Sequence, residues 1–482
     1  MKPSVSLCLL VAGAACVHSP PSLQGAAPAP ATASTLWQPS AAVTAAARRD
    51  ATPVTPPPDS LQQLTLAQVV DLALRNSPAT RLSWAQARAA ADVYGSSEGR
   101  YYPTLNAGIT GARQLTLAAA GRTAIERTTY GPSLSLSYTV LDFGARSGTI
   151  DVARQTAIAA DLAHNATVEN TILQVESAAF AYLATRAERD AQKSAVALAQ
   201  AALDAANERH RVGLATIADV LQAQTALSQA QLQLESLEGG LQIARGTLAV
   251  GMGLPANASY EVPDVPATDS ARFVTESVDS LIAYALRSRP ELAQARAQAQ
   301  AAASQIRVAR SGYFPSLALT GNTSNQGSNV PTFSGHSYAL NLGVSVPLFN
   351  GFSNQYDAAA ASENYQAALA RTAQTRQQVI QQVFTSYYTL RTATDRVHTS
   401  RDLLASATQS ETVARERYKE GVGSIVDLLV AQSALANARA QDIDSRWQWR
   451  TALAQLSHDV GVLTARGDTT FLTPILPAQG TK

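Results

Sequence analysis

The chain has 482 residues, room for two or three ordinary domains, and a formal net charge of +1. That balance leaves no charge excess to attract nucleic acid or an acidic substrate. Alanine and glutamine are abundant and aromatics few, which favours helix because alanine loses no side-chain entropy on joining one. No apolar run reaches the ~18 residues a transmembrane helix needs.

Residues 1–15 read as an export signal: Lys2 supplies a minimal positive start, and Ser4 to Gly13 a short apolar stretch before small residues. "LLVAGAAC" resembles the lipobox of bacterial lipoproteins, with Gly13 where Leu or Val is usual, and makes Cys16 a candidate for lipidation. The alternative is a plain signal peptide with an incidental cysteine. Cys8 leaves with the signal, so the mature chain has no pair for a disulfide. Residues 16–62 are rich in Pro, Ala, Ser and Thr and read as an extended tether behind the lipidated end.

From there the chain says everything twice. Residues 63–255 form a first repeat, 256–274 a linker, 275–465 a second repeat and 466–482 a tail. "ALRNSP" (Ala73 to Pro78) returns as "ALRSRP" (Ala285 to Pro290), "YYPTL" (Tyr101 to Leu105) as "YFPSL" (Tyr313 to Leu317), and "VLDFG" (Val140 to Gly144) as "LFNGF" (Leu348 to Phe352). The stretch from Glu208 to Gln231 aligns without gaps to Glu416 to Arg439. Landmarks kept in one order over this distance indicate a duplicated unit.

Within each repeat a hairpin comes first. "GPSLSLSYTVLDF" sets Leu134, Leu136, Tyr138 and Val140 against Ser133, Ser135, Ser137 and Thr139. "HSYALNLGVSVPLF" sets Leu340, Leu342, Val344 and Val346 against Asn341, Gly343 and Ser345. "TLNAGIT" and "SLALTGN", after Pro103 and Pro315, are the partner strands. Strands of roughly ten residues with one apolar face fit an outer-membrane barrel. Tyr101, Tyr102, Phe143, Tyr313, Phe314 and Phe349 fall where strand meets helix, as an interfacial girdle. Two soluble hairpins with these aromatics as core are the alternative. Four strands cannot close, and open edges in lipid cost several kcal/mol per group. The chain must oligomerise, and three copies give twelve strands.

A long helix follows each hairpin. Thr149 to Arg211 and Phe352 to Glu420 contain no Gly or Pro, and each would span on the order of 95–100 Å. Such helices need coiled-coil neighbours. Each chain segment turns at Gly213 or Gly421 and runs back, with Thr216 or Ser424 as cap and Asp219 or Asp427 in the first turn. "GMGLP" (Gly251 to Pro255) is a glycine-rich break without the pattern of a phosphate cradle. The six histidines, at 18, 164, 210, 336, 398 and 458, show no metal-ligand spacing, and no catalytic motif occurs. No cofactor, metal or catalytic residue is expected.

These features together resemble the TolC-like outer-membrane efflux protein family, in its lipoprotein branch, over Leu64 to Leu463. The resemblance implies a mostly α fold with a membrane β-barrel. It would be a homotrimer whose 12-stranded barrel, four strands per chain, continues into a long α-helical barrel built from two tandem repeats. It places the chain in the outer membrane of a Gram-negative bacterium, in contact with outer-membrane lipid and extending into the periplasm. There it would be the passive exit channel of a tripartite efflux or type I secretion system. A periplasmic adaptor (membrane fusion) protein and an inner-membrane efflux transporter would be its partners, with no nucleic acid. The two corners become periplasmic tips. Val212, Gly213, Leu214, Gly421 and Val422 match the adaptor-docking motif, and Tyr418, Asp427 and Asp219 stand at gate positions. The chain departs from the archetype at Gly423, where that has arginine, and at Val430, where it has aspartate. Helix capping is the competing role for both aspartates, and packing between helices for Tyr418. A periplasmic coiled-coil scaffold lipoprotein without transport is the alternative function.

Overall fold

The computed structural model describes residues 64–116, 125–263 and 277–463. Cys16, the signal, the tether, the tail, most of the linker and the tip of the first hairpin lie outside these residues.

Among the described residues, each repeat has the same four α-helices and two strands. In the first, α1 (Leu66–Asn76) and α2 (Pro78–Glu98) lead to β1 (Thr104–Thr116) and β2 (Ile125–Leu141). α3 (Ala145–Arg211) and α4 (Ile217–Gly251) follow. The second repeat runs α5 (Val278–Ser288), α6 (Pro290–Ser311), β3 (Ser316–Ser328), β4 (Gly335–Ser345), α7 (Ser353–Lys419) and α8 (Ile425–Val460). The two long helices are equal, at 67 residues each, or about 100 Å. α1 and α5 have 11 residues each.

The "ALRNSP" and "ALRSRP" motifs prove to be joints. Pro78 and Pro290 open α2 and α6, where a missing N–H costs nothing. Asn76 Nδ2 donates to the Met252 carbonyl at the end of α4 (3.2 Å), and Ser288 Oγ donates to the Val460 carbonyl at the end of α8 (2.7 Å). In both places a left-handed glycine, Gly253 or Gly461, ends the returning helix. Each joint therefore ties the end of a repeat to its beginning.

α3 packs against α1, α2, α4, α6 and α8, and α7 against α5, α6 and α8. The core divides by level. Val69, Val70, Ile172, Leu183, Leu248 and Met252 centre one cluster in the first repeat, and Leu281, Val383, Leu390 and Leu456 a matching one in the second. Tyr260 and Val262, in the segment read from sequence as linker, are buried in the first cluster, and Leu64 N–H donates to Glu261 there (2.9 Å). A third cluster joins all four helices at the corner end.

No described helix is long and apolar enough to cross a membrane. The sheet is a different matter. Its order is β1-β2-β3-β4, all antiparallel, so the two hairpins pair through β2 and β3. Register aligns their apolar faces: Leu105 lies opposite Leu136, Leu136 opposite Gly321, and Gly321 opposite Leu340. Serines and asparagines share the other face. Two features differ from the sequence reading. The strands are 11 to 17 residues long, not about ten. A bulge between Thr139 and Leu141 sets Leu141, and not Val140, opposite Leu317, because one extra residue inverts the alternation. Pro132 stands in central strand β2 at a gap in its β3 ladder, between the Tyr130 and Ser133 pairs, where its missing N–H is tolerated.

Strand passes into helix through two consecutive left-handed residues in each repeat. They are Phe143 (φ 47°) and Gly144 (φ 101°) before α3, and Gly351 (φ 67°) and Phe352 (φ 66°) before α7.

Candidate functional site: the helical corners

Both corners are closed by the same local chemistry. At the first, Gly213 (φ 78°) donates to the His210 carbonyl (3.0 Å) and Leu214 to that of Arg209 (2.8 Å). At the second, Gly421 (φ 79°) donates to Tyr418 (3.0 Å) and Val422 to Arg417 (2.9 Å). These are Schellman closures, which require the left-handed residue that glycine supplies. Capping boxes start the returning helices. Thr216 Oγ1 accepts from Asp219 N–H (3.3 Å) while the Asp219 carboxylate accepts from Thr216 N–H (2.8 Å). Ser424 and Asp427 repeat the exchange at 3.1 and 3.4 Å. Thr216 and Ser424 are the N-caps, worth about 1 kcal/mol each, and the aspartates complete the capping boxes from the third helical position.

The corners also present apolar surface to solvent. Val212, Leu214 and Ile217 project from the first, and Val422, Val426 and Val430 from the second. Asp427 is exposed and Asp219 half-buried.

Tyr418 is buried, packed in the corner cluster among Ala202, Ala206, Ala223, Ile425 and Leu428. Its hydroxyl is enclosed without a hydrogen-bond partner among the described residues. Burial pushes the phenol pKa up, Arg209 opposes that, and the Asp219 charge adds to it. The structure therefore brings Tyr418 and Asp219 into one neighbourhood without a bond between them. Asp427 stays on its own helix end. The residue that sequence reasoning missed is Arg209. Its guanidinium lies 4.2 Å from the centre of the Tyr418 ring and donates to the carbonyls of Tyr418 and Lys419. No spacing in the sequence announces it, since its partners are 209 and 210 positions away.

At the junction of sheet and helices Tyr101, Tyr102, Phe143, Tyr313, Phe314 and Phe349 are exposed. Phe143 stacks on Phe314 from the other repeat (centroids 5.3 Å), and Phe349 meets Phe352 edge-on (5.5 Å). Arg146 lies between the Tyr101 and Tyr138 rings, paired with Asp142 (2.8 Å).

A second unforeseen group sits near the joint of the second repeat. Arg289 is buried and bonds to Glu291 (2.9 Å), Gln382 (3.1 Å) and Asp459 (3.4 Å). His458 contacts Asp459 (3.0 Å) and Asn170 of α3 (3.1 Å), which links the two repeats. Burial alone would raise the Asp459 pKa, but hydrogen bonds from His458 and Gln455 hold it below the ordinary value.

Comparison with known proteins places this geometry. CyaE of Bordetella pertussis is 30% identical to the chain, over 86% of it and 88% of its own length. The pyoverdine export outer membrane protein OpmQ of Pseudomonas aeruginosa is 28% identical, over 96% of this chain and 95% of its own. The crystal structure of the outer membrane protein VceC of Vibrio cholerae matches with a TM-score of 0.74 at 19% identity, over 82% of this chain and 96% of that one, a likeness of fold. The model of the outer membrane efflux proteins matches residues 69–254 and again 281–462, once per repeat. With paired hairpins, twin 67-residue helices and matching corners, the chain belongs to the outer membrane efflux protein family, a family of outer-membrane channels.

Proposed function

We propose that the chain is the exit duct of a tripartite efflux or type I secretion system. It works as a homotrimer anchored to outer-membrane lipid through Cys16. An inner-membrane transporter delivers the substrate, a periplasmic adaptor docks on the tips, and the duct conducts passively. Val212, Gly213, Leu214, Gly421 and Val422 are the docking residues. Tyr418, Asp219 and Asp427 line or support the closed mouth.

The observation that carries this reading is what one chain leaves open. β1 and β4 are free edges, and β4 is exposed along its whole length. Unpaired backbone in lipid costs several kcal/mol per group. The helices have a matching gap: α3 packs against α1, α2 and α4 of its own repeat and also α6 and α8 of the other, whereas the described helices packed on α7 are α5, α6 and α8 of its own repeat. Exposed apolar side chains gather on those unmatched surfaces, with Leu82, Trp84 and Val93 on α2, Leu232 and Ile243 on α4, and Phe384, Tyr388 and Leu403 on α7. If α7 and β4 of one copy meet α2, α4 and β1 of the next, as β2 and α3 meet β3, α6 and α8 within the chain, three copies close a twelve-stranded ring. A scaffold without transport leaves the lipid-type sheet without a role.

Light scattering on the mature protein in detergent should give the mass of three chains. A monodisperse single chain would overturn the proposal.

A further inference from the structure

The seam between the repeats inside one chain is built from particular side-chain sizes. There α3 packs on α6 and α8 of the other repeat. Near the start of α3, Gly148 lets two backbones close up: a Cβ there would stand 2.7 Å from Val308 Cγ2 and 3.3 Å from the Val308 nitrogen. Arg307, beside Val308, pairs with Asp151 (2.5 Å). Midway along α3, Phe180 meets Trp447 of α8 ring to ring (centroids 6.0 Å). Nearer the corner, Gln432 Nε2 donates to the Leu198 carbonyl (3.4 Å).

Each of these residues has a counterpart in the other repeat. Register on the corner glycines, Gly213 and Gly421, puts Tyr356 in the place of Gly148 and Tyr388 in that of Phe180. It puts Gly239 in the place of Trp447 and Gln224 in that of Gln432. Register on Pro78 and Pro290 puts Gly95 and Ser96 in the places of Arg307 and Val308. The sizes are reversed: small where the other repeat is large, and aromatic where it has glycine. Tyr356 is 72% exposed and Tyr388 43%. Gly95, Ser96 and Gly239 are exposed as well, and a Cβ on either glycine would find nothing within 4 Å. Both glycines lie inside helices, where glycine is weaker than alanine, and no contact within the chain offsets the loss.

We propose that the seam between copies is keyed by this reversal: Tyr356 and Tyr388 of one copy enter the notches that Gly95–Ser96 on α2 and Gly239 on α4 leave open in the next. The proposal rests on the trimeric reading above and adds what makes that seam specific. Inside the chain, glycine faces valine and phenylalanine faces tryptophan. Between copies, tyrosine faces serine and tyrosine faces glycine. Each pairing fills its own space, and neither substitutes for the other. Tyr356 in the place of Gly148 would collide with Val308, and Gly239 in the place of Trp447 would leave Phe180 without its ring partner. The repeats can therefore alternate around the ring in one order only. Gln224, exposed in the chain, is the same residue as Gln432, so the polar contact nearer the corner is kept while the sizes change.

The test uses the full-length protein from outer-membrane extracts, scored as the fraction of heat-resistant trimer. Gly239→Trp should cut that fraction several-fold, and adding Tyr388→Ala to it should restore most of the loss. Gly239→Ala, which barely fills the notch, should match the parent. Ser96→Phe should likewise impair assembly and be restored by Tyr356→Ala. Differently tagged chains carrying Tyr356→Cys and Ser96→Cys, co-expressed, should be joined by a short bis-maleimide into a product with both tags. Parental trimer in both Gly239→Trp and Ser96→Phe would overturn the keyed seam. Failure of both tyrosine substitutions to restore assembly would make the notches folding positions and overturn it too. No mixed-tag product while light scattering still gives three chains would overturn the seam and leave the trimeric reading intact. A single-chain mass for the parent would overturn both.

Discussion

Glu176 is a buried acid whose ionisation bears on stability. It lies on α3 with 5% of its surface exposed, and burial pushes its carboxyl pKa up to about 7 from an ordinary 4.5. The folded chain therefore holds a proton there that the unfolded chain has released between those two values. Stability is greatest below the unfolded value and falls as pH rises toward 7. Glu176→Gln should remove that slope and raise stability at pH 8 by on the order of 3 kcal/mol per chain, read from thermal unfolding of parent and variant at pH 5 and 8. Equal slopes in both proteins would reject this. Asp459 has the opposite sign, since its pKa is lowered, and its contribution is lost only in acid. At this scale the sequence was legible where chemistry is local. Thr216 with Asp219 and Ser424 with Asp427 announce capping boxes because all partners lie within four residues. Arg209 and the Arg289–Asp459 pair were not legible, because their partners meet only after the helices pack.

Among the elements, the sheet makes the sharpest prediction. Leu342 and Leu136 lie on one face, joined through Leu319 and Tyr138 or Gly321, while Ser135 lies on the other. Leu342→Arg or Leu136→Arg should impair barrel assembly by ~2–4 kcal/mol if the site is near mid-bilayer, and Ser135→Arg should be tolerated. The measurement is the fraction of heat-resistant trimer in outer-membrane extracts. Equal tolerance on the two faces would contradict a lipid-facing sheet. Alternation alone revealed these faces, since period two survives in any single strand. It could not reveal that β2 pairs with β3, nor the bulge that moves Leu141 into line with Leu317, because both depend on the neighbouring strand.

For the whole molecule, the twofold plan was readable because the corner and joint motifs recur in order. The half-covered α7 was not, because coverage is a property of packing and not of pattern. The anchor belongs to this scale too. Cys16→Ser should abolish labelling by a fatty-acid analogue yet leave the barrel able to insert, since the alternating pattern of the strands does not depend on the anchor. Labelling at the parental level would remove Cys16 as the acylated residue.

The strand-to-helix corners bear on how the two repeats came to differ. Phe143–Gly144 in one and Gly351–Phe352 in the other hold the same pair of left-handed conformations with the residues in reverse order. No single replacement converts one order into the other, and Phe-Phe and Gly-Gly are the two intermediates that use only these residue types. Phe-Phe puts two side chains into a conformation that costs each ~1–2 kcal/mol. Gly-Gly adopts both without strain and gives up only one ring at the girdle. Descent through the double glycine is the easier path, and a chain carrying Gly at both 143 and 144 should still assemble where one carrying Phe at both should not.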